Sequence, residues 1–268
     1  MALSDLLRNC DSQLRLLQER GLYRRSRSLD RVAGAQLTID GRRVVGCSSN
    51  DYLGLSLDPR VIQAAAAAAR RWGAGARASR LLAGTTALHA QLEAGLAAFF
   101  RTEDAIVYSS GYLANLGTLQ TLLGRGDLAV VDRLAHASLI DACRASGARL
   151  LIFHHNDPGH LAALLRRYRS AGRRLVVTEG VFSMDGDAAP LAALLDVAER
   201  VDAVLYVDDA HGAFVRGATG RGAMPCRASR PANRRTLRSS ARRGAAERAT
   251  IRSASSAAAI ADAGGAVV

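Results

Sequence analysis

Apolar positions along this chain change their spacing near residue 105, and the change separates two kinds of segment. Over residues 3–20, Leu3, Leu6, Leu7, Leu14, Leu16 and Leu17 recur at helical intervals with charged residues between them. That spacing predicts an amphipathic helix, and Gly21 is placed to end it. Residues 35–39 and 43–47 flank Asp40-Gly41, a pair suited to the tight turn of a hairpin. A turn-rich stretch, 48–55, follows. Pro59 then opens an alanine-rich helix that ends near Trp72-Gly73, and a further helix is predicted from about Thr86 to Phe100.

Beyond residue 105 short apolar runs alternate with helical stretches, as a doubly wound parallel sheet requires. Strands are predicted at 105–109, 128–132, 149–153, 174–178 and 203–208, with helices near 112–123, 137–146, 159–171 and 190–200. Runs such as Leu175-Val176-Val177 and Val204-Leu205-Tyr206-Val207 are nearly continuous in apolar residues, which suits strands covered on both faces. The fold class is therefore α/β with a mostly parallel sheet. No internal repeat is present.

Composition alters this picture at two places. The formal net charge of +12 is unevenly spread: residues 1–226 hold 27 arginines against 22 acids, whereas residues 227–268 hold 9 against 2. The last 42 residues carry few large apolar side chains, and a sequence that buries so little surface does not offset the entropy of ordering. We read 227–268 as a low-complexity basic tail, disordered, after an N-terminal helix-and-hairpin segment (1–50) and a large domain (51–226). A nucleic-acid arm is the alternative for the tail, but no aromatics interleave its arginines for base stacking. The second place is lysine. All 36 cationic residues are arginine, so no side-chain amine is available for Schiff-base chemistry.

Four dispersed cysteines (Cys10, Cys47, Cys143, Cys226) with no C-x-x-C pair argue against a disulfide framework or a zinc site. No stretch has the length and apolarity of a membrane span. A soluble, cytoplasmic protein is expected.

Polar residues gather where the predicted strands end, which is where open α/β sheets bind ligands. Ser110-Gly111-Tyr112 turns into a helix whose free N–H groups suit a phosphate; strand–glycine–helix turns are also common without one. His136 opens another helix. Ser183 follows the strand at 174–178, and Asp208-Asp209-Ala210-His211-Gly212 follows the last. Acids after a buried strand are costly unless paired, and a cationic ligand nitrogen would pair with one; equally, Asp208 or Asp209 would suit a helix cap. His154, His155, Asp157 and His160 lie close enough for a metal site, against a plain loop with Asn156 or Asp157 as N-cap. We assign no metal.

Four segments carry a resemblance: Ser48-Ser49-Asn50-Asp51-Tyr52-Leu53-Gly54-Leu55, His136-Ala137-Ser138-Leu139, Thr178-Glu179-Gly180-Val181-Phe182-Ser183-Met184-Asp185-Gly186-Asp187, and Val207-Asp208-Asp209-Ala210-His211-Gly212. Together they resemble the α-oxoamine synthases, pyridoxal-phosphate enzymes of fold type I, over residues from the N-terminal helix to about Gly222. The resemblance implies the large domain of that fold and pyridoxal 5′-phosphate as cofactor. It implies that Asp208 pairs with the pyridinium nitrogen, that His211 meets the phenolic oxygen with Ser183 nearby, and that His136 stacks on the ring. Gly111 and Tyr112 would lie beside the cofactor, and Arg24 would contact the carboxylate of the acyl substrate. The implied reaction is decarboxylative condensation of an amino acid, here L-alanine, with an acyl thioester such as pimeloyl-CoA or its carrier-protein form, releasing CO2 and the thiol in biotin biosynthesis. The sister branches, glycine C-acetyltransferase and aminolevulinate synthase types among them, are the alternatives. A cytoplasmic homodimer is also implied.

The resemblance fades after about residue 222. The lysine-bearing strand and the C-terminal small domain of the family are not seen, and we expect that a shift of reading frame accounts for the basic tail. The corresponding expectation for activity is an inactive chain.

Overall fold

The computed structural model describes residues 3–223 and 251–253, in two compact units, Met1–Ser49 and Asn50–Val268. The first unit holds helix α1 (Leu3–Glu19) and strands β1 (Arg31–Ala33), β2 (Gln36–Ile39) and β3 (Arg42–Val45). Gly21 ends α1 as the sequence predicts. At φ 66° it lets its own N–H reach the Gln18 carbonyl and the Leu22 N–H reach that of Leu17, a pairing that satisfies the last carbonyls of a helix. Asp40 and Gly41 both have positive φ, so the β2–β3 hairpin turns as expected. The unit gains a third antiparallel strand, β1, in register with β2.

The second unit is built on a parallel sheet: β4 (Leu128–Asp132), β5 (Arg149–Phe153), β6 (Arg174–Glu179), β7 (Val204–Asp208) and β8 (Ile251–Ser253), in the order β5-β4-β6-β7-β8. Its helices are α2 (Pro59–Trp72), α3 (Ala87–Phe100), α4 (Gly111–Leu122), α5 (Ala137–Ala145), α6 (Pro158–Arg167) and α7 (Leu191–Arg200). Side chains alternate between the two faces of each strand, and the core divides accordingly. Leu128, Val130, Val176, Leu205 and Val207 pack with Leu161 and Leu165 of α6 and Leu194 and Ala198 of α7. Ala129, Val131, Leu175, Val177 and Tyr206 pack with Leu119 of α4 and Leu139 and Cys143 of α5. β4, β6 and β7 are covered on both faces, which explains why their sequences show no polar–apolar alternation.

Two expectations are corrected. Residues 105–109 form no strand, and Ile106 is 71% exposed. The polar backbone of Val107 is bonded to side chains instead of a ladder: its N–H donates to Glu93 at 2.9 Å and its carbonyl accepts from Arg80 at 2.9 Å. An apolar, β-branched run satisfied by an Arg–Glu pair reads in sequence like a strand. The second correction concerns the basic tail, where Ile251–Ser253 pairs in parallel with β7. The rest of the segment expected to be disordered lies outside the described residues.

Candidate functional site

The carboxyl edge of the sheet is built by its topology. β4 connects through α5 on one face and β6 through α7 on the other, although β4 and β6 are neighbours. That is a switch point, where the diverging connections leave a crevice. A cavity of about 160 Å³ opens there, lined by Asn50, Gly111, Tyr112, Asn115, His136, Ser138, Glu179, Asp208, Ala210 and His211. No arginine is among these lining residues.

Strand parity decides which acids face it. Tyr206 and Val177 point toward α4 and α5; two residues on, Asp208 and Glu179 point the same way, and they are direct register partners on the β6–β7 ladder. Two carboxylates therefore stand side by side, 7% and 3% exposed. Asp132, at the end of β4, has the opposite parity and serves another cluster. It accepts the Nδ1 of His155 at 2.8 Å, while the Nε2 of His155 meets Asp187 at 2.9 Å.

The helices supply the partners. Asn115 of α4, 1% exposed, donates through Nδ2 to Asp208 at 2.7 Å and to the Ser138 hydroxyl at 2.9 Å, and accepts from the Tyr206 hydroxyl at 2.7 Å. The backbone N–H of Ala210 gives Asp208 a second donor at 3.1 Å. Burial nevertheless raises the Asp208 pKa above the usual carboxylate range, against the pull of Asn115. Glu179 accepts the backbone N–H of His136 at 2.6 Å, a bond that closes β6 onto the β4–α5 turn. Burial, with Asp208 and Asp132 nearby, pushes its carboxyl up to about 7. His136 caps α5, its Nδ1 lying 2.8 Å from the Ser138 hydroxyl. His211 sits 2.6 Å from the Tyr52 hydroxyl through Nδ1. At the opposite wall Ser110 caps α4 by accepting the Leu113 N–H, leaving the Gly111 and Tyr112 backbone at a helix N-terminus, where partial positive charge collects.

Of the residues singled out in sequence, Gly111, Tyr112, His136, Asp208 and His211 line this one cavity. Ser183 does not: its side chain is exposed, and only its backbone N–H reaches the site, donating to Glu179. Arg24 is an exposed residue of the first unit. Asn115 escaped notice because a lone polar residue within a helix carries no motif, and Glu179 lay within a quoted segment without a role. The histidines near α6 part company. Asp157 caps α6 by accepting the His160 N–H at 2.9 Å, the His154 and His160 rings meet at a tilt with centroids 3.9 Å apart, and His155 is engaged by Asp132 and Asp187.

Residues 42–260 match the model of the aminotransferase class I and II family, and the chain belongs to that family. Within it, the chain is 49% identical over 217 residues to the 8-amino-7-oxononanoate synthase of Geobacter sulfurreducens, covering 81% of this chain and 56% of that protein. It is 50% identical over 217 residues to the enzyme of the same name from Maricaulis maris, covering 81% and 55%. The chain thus spans about half the length of the curated relatives it matches. Among solved structures it resembles the serine palmitoyltransferase of Sphingomonas wittichii, with a TM-score of 0.75 and 37% identity over 83% of this chain and 56% of that one. A serine palmitoyltransferase from S. paucimobilis, solved with bound PLP and myriocin, gives the same TM-score at 34% identity over 83% and 58%.

Proposed function

We propose that the cavity at the switch point binds pyridoxal 5′-phosphate, and that the chain belongs to an enzyme condensing L-alanine with pimeloyl-CoA, or its carrier-protein form, on the way to biotin. The observation that carries the cofactor reading is the buried Asp208–Glu179 pair on a cavity wall with no arginine facing it. Buried carboxylates of this kind call for a cationic ligand group, and a protonated pyridine nitrogen is one. The Gly111–Tyr112 helix N-terminus supplies backbone N–H groups for a phosphate, and His136 and His211 offer imidazoles to the ring between. The residues fit the group.

In this reading Asp208 accepts the pyridinium N–H and keeps the nitrogen protonated, and Asn115 aims the carboxylate. His211, steadied by Tyr52, hydrogen-bonds the phenolic oxygen, with Ser183 nearby in the turn after β6. His136 stacks against the ring, and Arg24 takes the carboxylate of the acyl substrate. When bound, the cofactor supplies an electron sink for the decarboxylating carbon. Because these 268 residues contain no lysine, the chain holds the cofactor by charge and hydrogen bonds alone, and we expect no condensation turnover from it.

The curated relatives at 46–52% identity carry the name 8-amino-7-oxononanoate synthase, which supports the alanine–pimeloyl branch over another α-oxoamine synthase. A cytoplasmic homodimer accompanies the proposal. No helix among the described residues is long and apolar enough to cross a membrane. Equilibrium dialysis of pyridoxal phosphate against the chain and its Asp208→Ala variant tests the reading: saturable one-to-one binding, lost by about tenfold or more in the variant, is expected. Equal binding by both would refute it.

A further inference from the structure

Glu179 stands in the proposed site only as the buried neighbour of Asp208, with no ligand contact of its own assigned, although its geometry sets it among the candidate ring-contacting residues. It closes β6, is 3% exposed, lines the cavity and stands beside Asp208 on the ladder. Its carboxylate holds the His136 backbone N–H at 2.6 Å and accepts the Ser183 N–H. It therefore ties together the two turns that carry the candidate ring-contacting residues. The charged groups that act on it are Asp208, its register partner on β7, and Asp132 at the end of β4 on the opposite face of the sheet, while His136 meets it through its backbone N–H. Two carboxylates near a third make this an expensive place for negative charge. A neutral acceptor such as a glutamine oxygen would anchor the two N–H groups without that cost, so anchoring alone does not account for an acid here.

We propose that Glu179 is a positioning residue that also contributes charge. Its carboxylate fixes the His136 main chain, and its negative charge joins that of Asp208 to hold a cationic ring in the cavity. This inference rests on the pyridoxal-phosphate reading for the ligand, but the anchoring of His136 stands without it. Burial, with Asp208 and Asp132, pushes Glu179 up to about 7, so its charge changes near neutral pH. A carboxyl raised in this way is protonated below that value and ionised above it. A cation in the cavity favours the ionised form. The contribution of Glu179 to ligand affinity is accordingly absent in acid and grows as pH rises through neutrality.

Two measurements on the full chain test this. First, pyridoxal phosphate affinity is measured against pH for the wild type and Glu179→Gln, whose amide oxygen still accepts the His136 N–H; the ratio of the two cancels the ligand's own titrations. A ratio near one at about pH 5.5 that rises to about tenfold at about pH 8.5, one pKa unit of coupling, is expected. A ratio that stays flat across the range overturns the charge role. Second, the His136 amide signal is followed by NMR in the ligand-free wild type, where it should shift with a midpoint near 7 and stay unshifted in Glu179→Gln. Absence of that midpoint overturns the positioning role, whether or not the variant folds well. If the chain binds no pyridoxal phosphate but the His136 amide titrates as expected, the cofactor reading fails and the positioning role survives.

Discussion

Asn115→Ala strikes the most connected side chain of the site. The buried amide makes three hydrogen bonds, to Asp208 at 2.7 Å, to Ser138 at 2.9 Å and from Tyr206 at 2.7 Å. Ser138 keeps a partner in His136 at 2.8 Å, but the Tyr206 hydroxyl loses this acceptor in a fully buried setting, and Asp208 loses its side-chain donor while keeping the Ala210 N–H. Removing the partner of a buried polar group costs about 1–3 kcal/mol, and more when charge is involved. The two together come to about 2–6 kcal/mol, a large part of the roughly 5–15 kcal/mol that holds a domain folded. At about 2–4 °C per kcal/mol for a chain of this size, the midpoint of thermal unfolding should fall by about 10 °C.

The loss should also depend on pH. Asp208 is raised by burial, and Asn115 opposes the rise. A carboxyl raised in the folded state is neutral in both states at low pH, and it costs stability as pH climbs from its unfolded toward its folded value. Removing Asn115 moves the folded value higher, so the variant's deficit deepens as pH rises and shrinks in acid to the share owed to Tyr206. Differential scanning fluorimetry from acid to neutral pH reads both quantities. A midpoint within about 2 °C of wild type, or a deficit that does not change with pH, would refute the reasoning.

Three further outcomes follow from other parts of the unit. In Gly212→Ala the new Cβ would lie 2.1 Å from the Asp209 carboxylate, which Gly180 and Gly222 also crowd at 2.2 and 1.9 Å; such overpacking costs about 1–3 kcal/mol in urea unfolding, whereas Gly75→Ala, with open space around it, stays within about 0.5 kcal/mol. The hydrogen bond from Arg80 holds the carboxyl of Glu93 below its usual range. The stability it brings is present above the unfolded carboxylate pKa and is lost as pH falls through the lowered folded value, so Glu93→Gln should be less stable at neutral pH and lose less on acidification, as urea titrations at several pH values would show. Burial pushes the Cys143 thiol up to about 12; mass spectrometry after brief alkylation of the native chain should find Cys10 and Cys47, both exposed, modified and Cys143 untouched until the chain is unfolded.

The parallel sheet was legible because its strands are short apolar runs bounded by polar clusters, and β4 to β7 fall within a residue of their predicted limits. Legibility failed where tertiary partners replace local ones. Residues 105–109 have strand-like composition, yet Arg80 and Glu93, remote in sequence, take their backbone bonds. The site shows the same division. Gly111, Tyr112, His136, Asp208 and His211 sit in turns after apolar runs and could be found by position. Asn115 could not, since its bond to Asp208 spans 93 residues and nothing around it marks a helix position as special. The pairing of Glu179 with Asp208 depends on the β6–β7 register, which emerges only once the strands are aligned. The same parity explains why Asp132, equally a strand-end acid, serves His155 and not the cavity.

Everything proposed for the cavity turns on whether Asp208 holds a protonated ring nitrogen at the switch point. Nitrogen NMR of pyridoxal phosphate labelled with 15N in the ring, bound to the full chain, addresses this directly. The expected result is a pyridinium shift that persists to pH values at which the free cofactor has lost its ring proton, and that disappears in Asp208→Asn. A bound cofactor whose ring nitrogen titrates as it does free in solution, or is unchanged in Asp208→Asn, would contradict it.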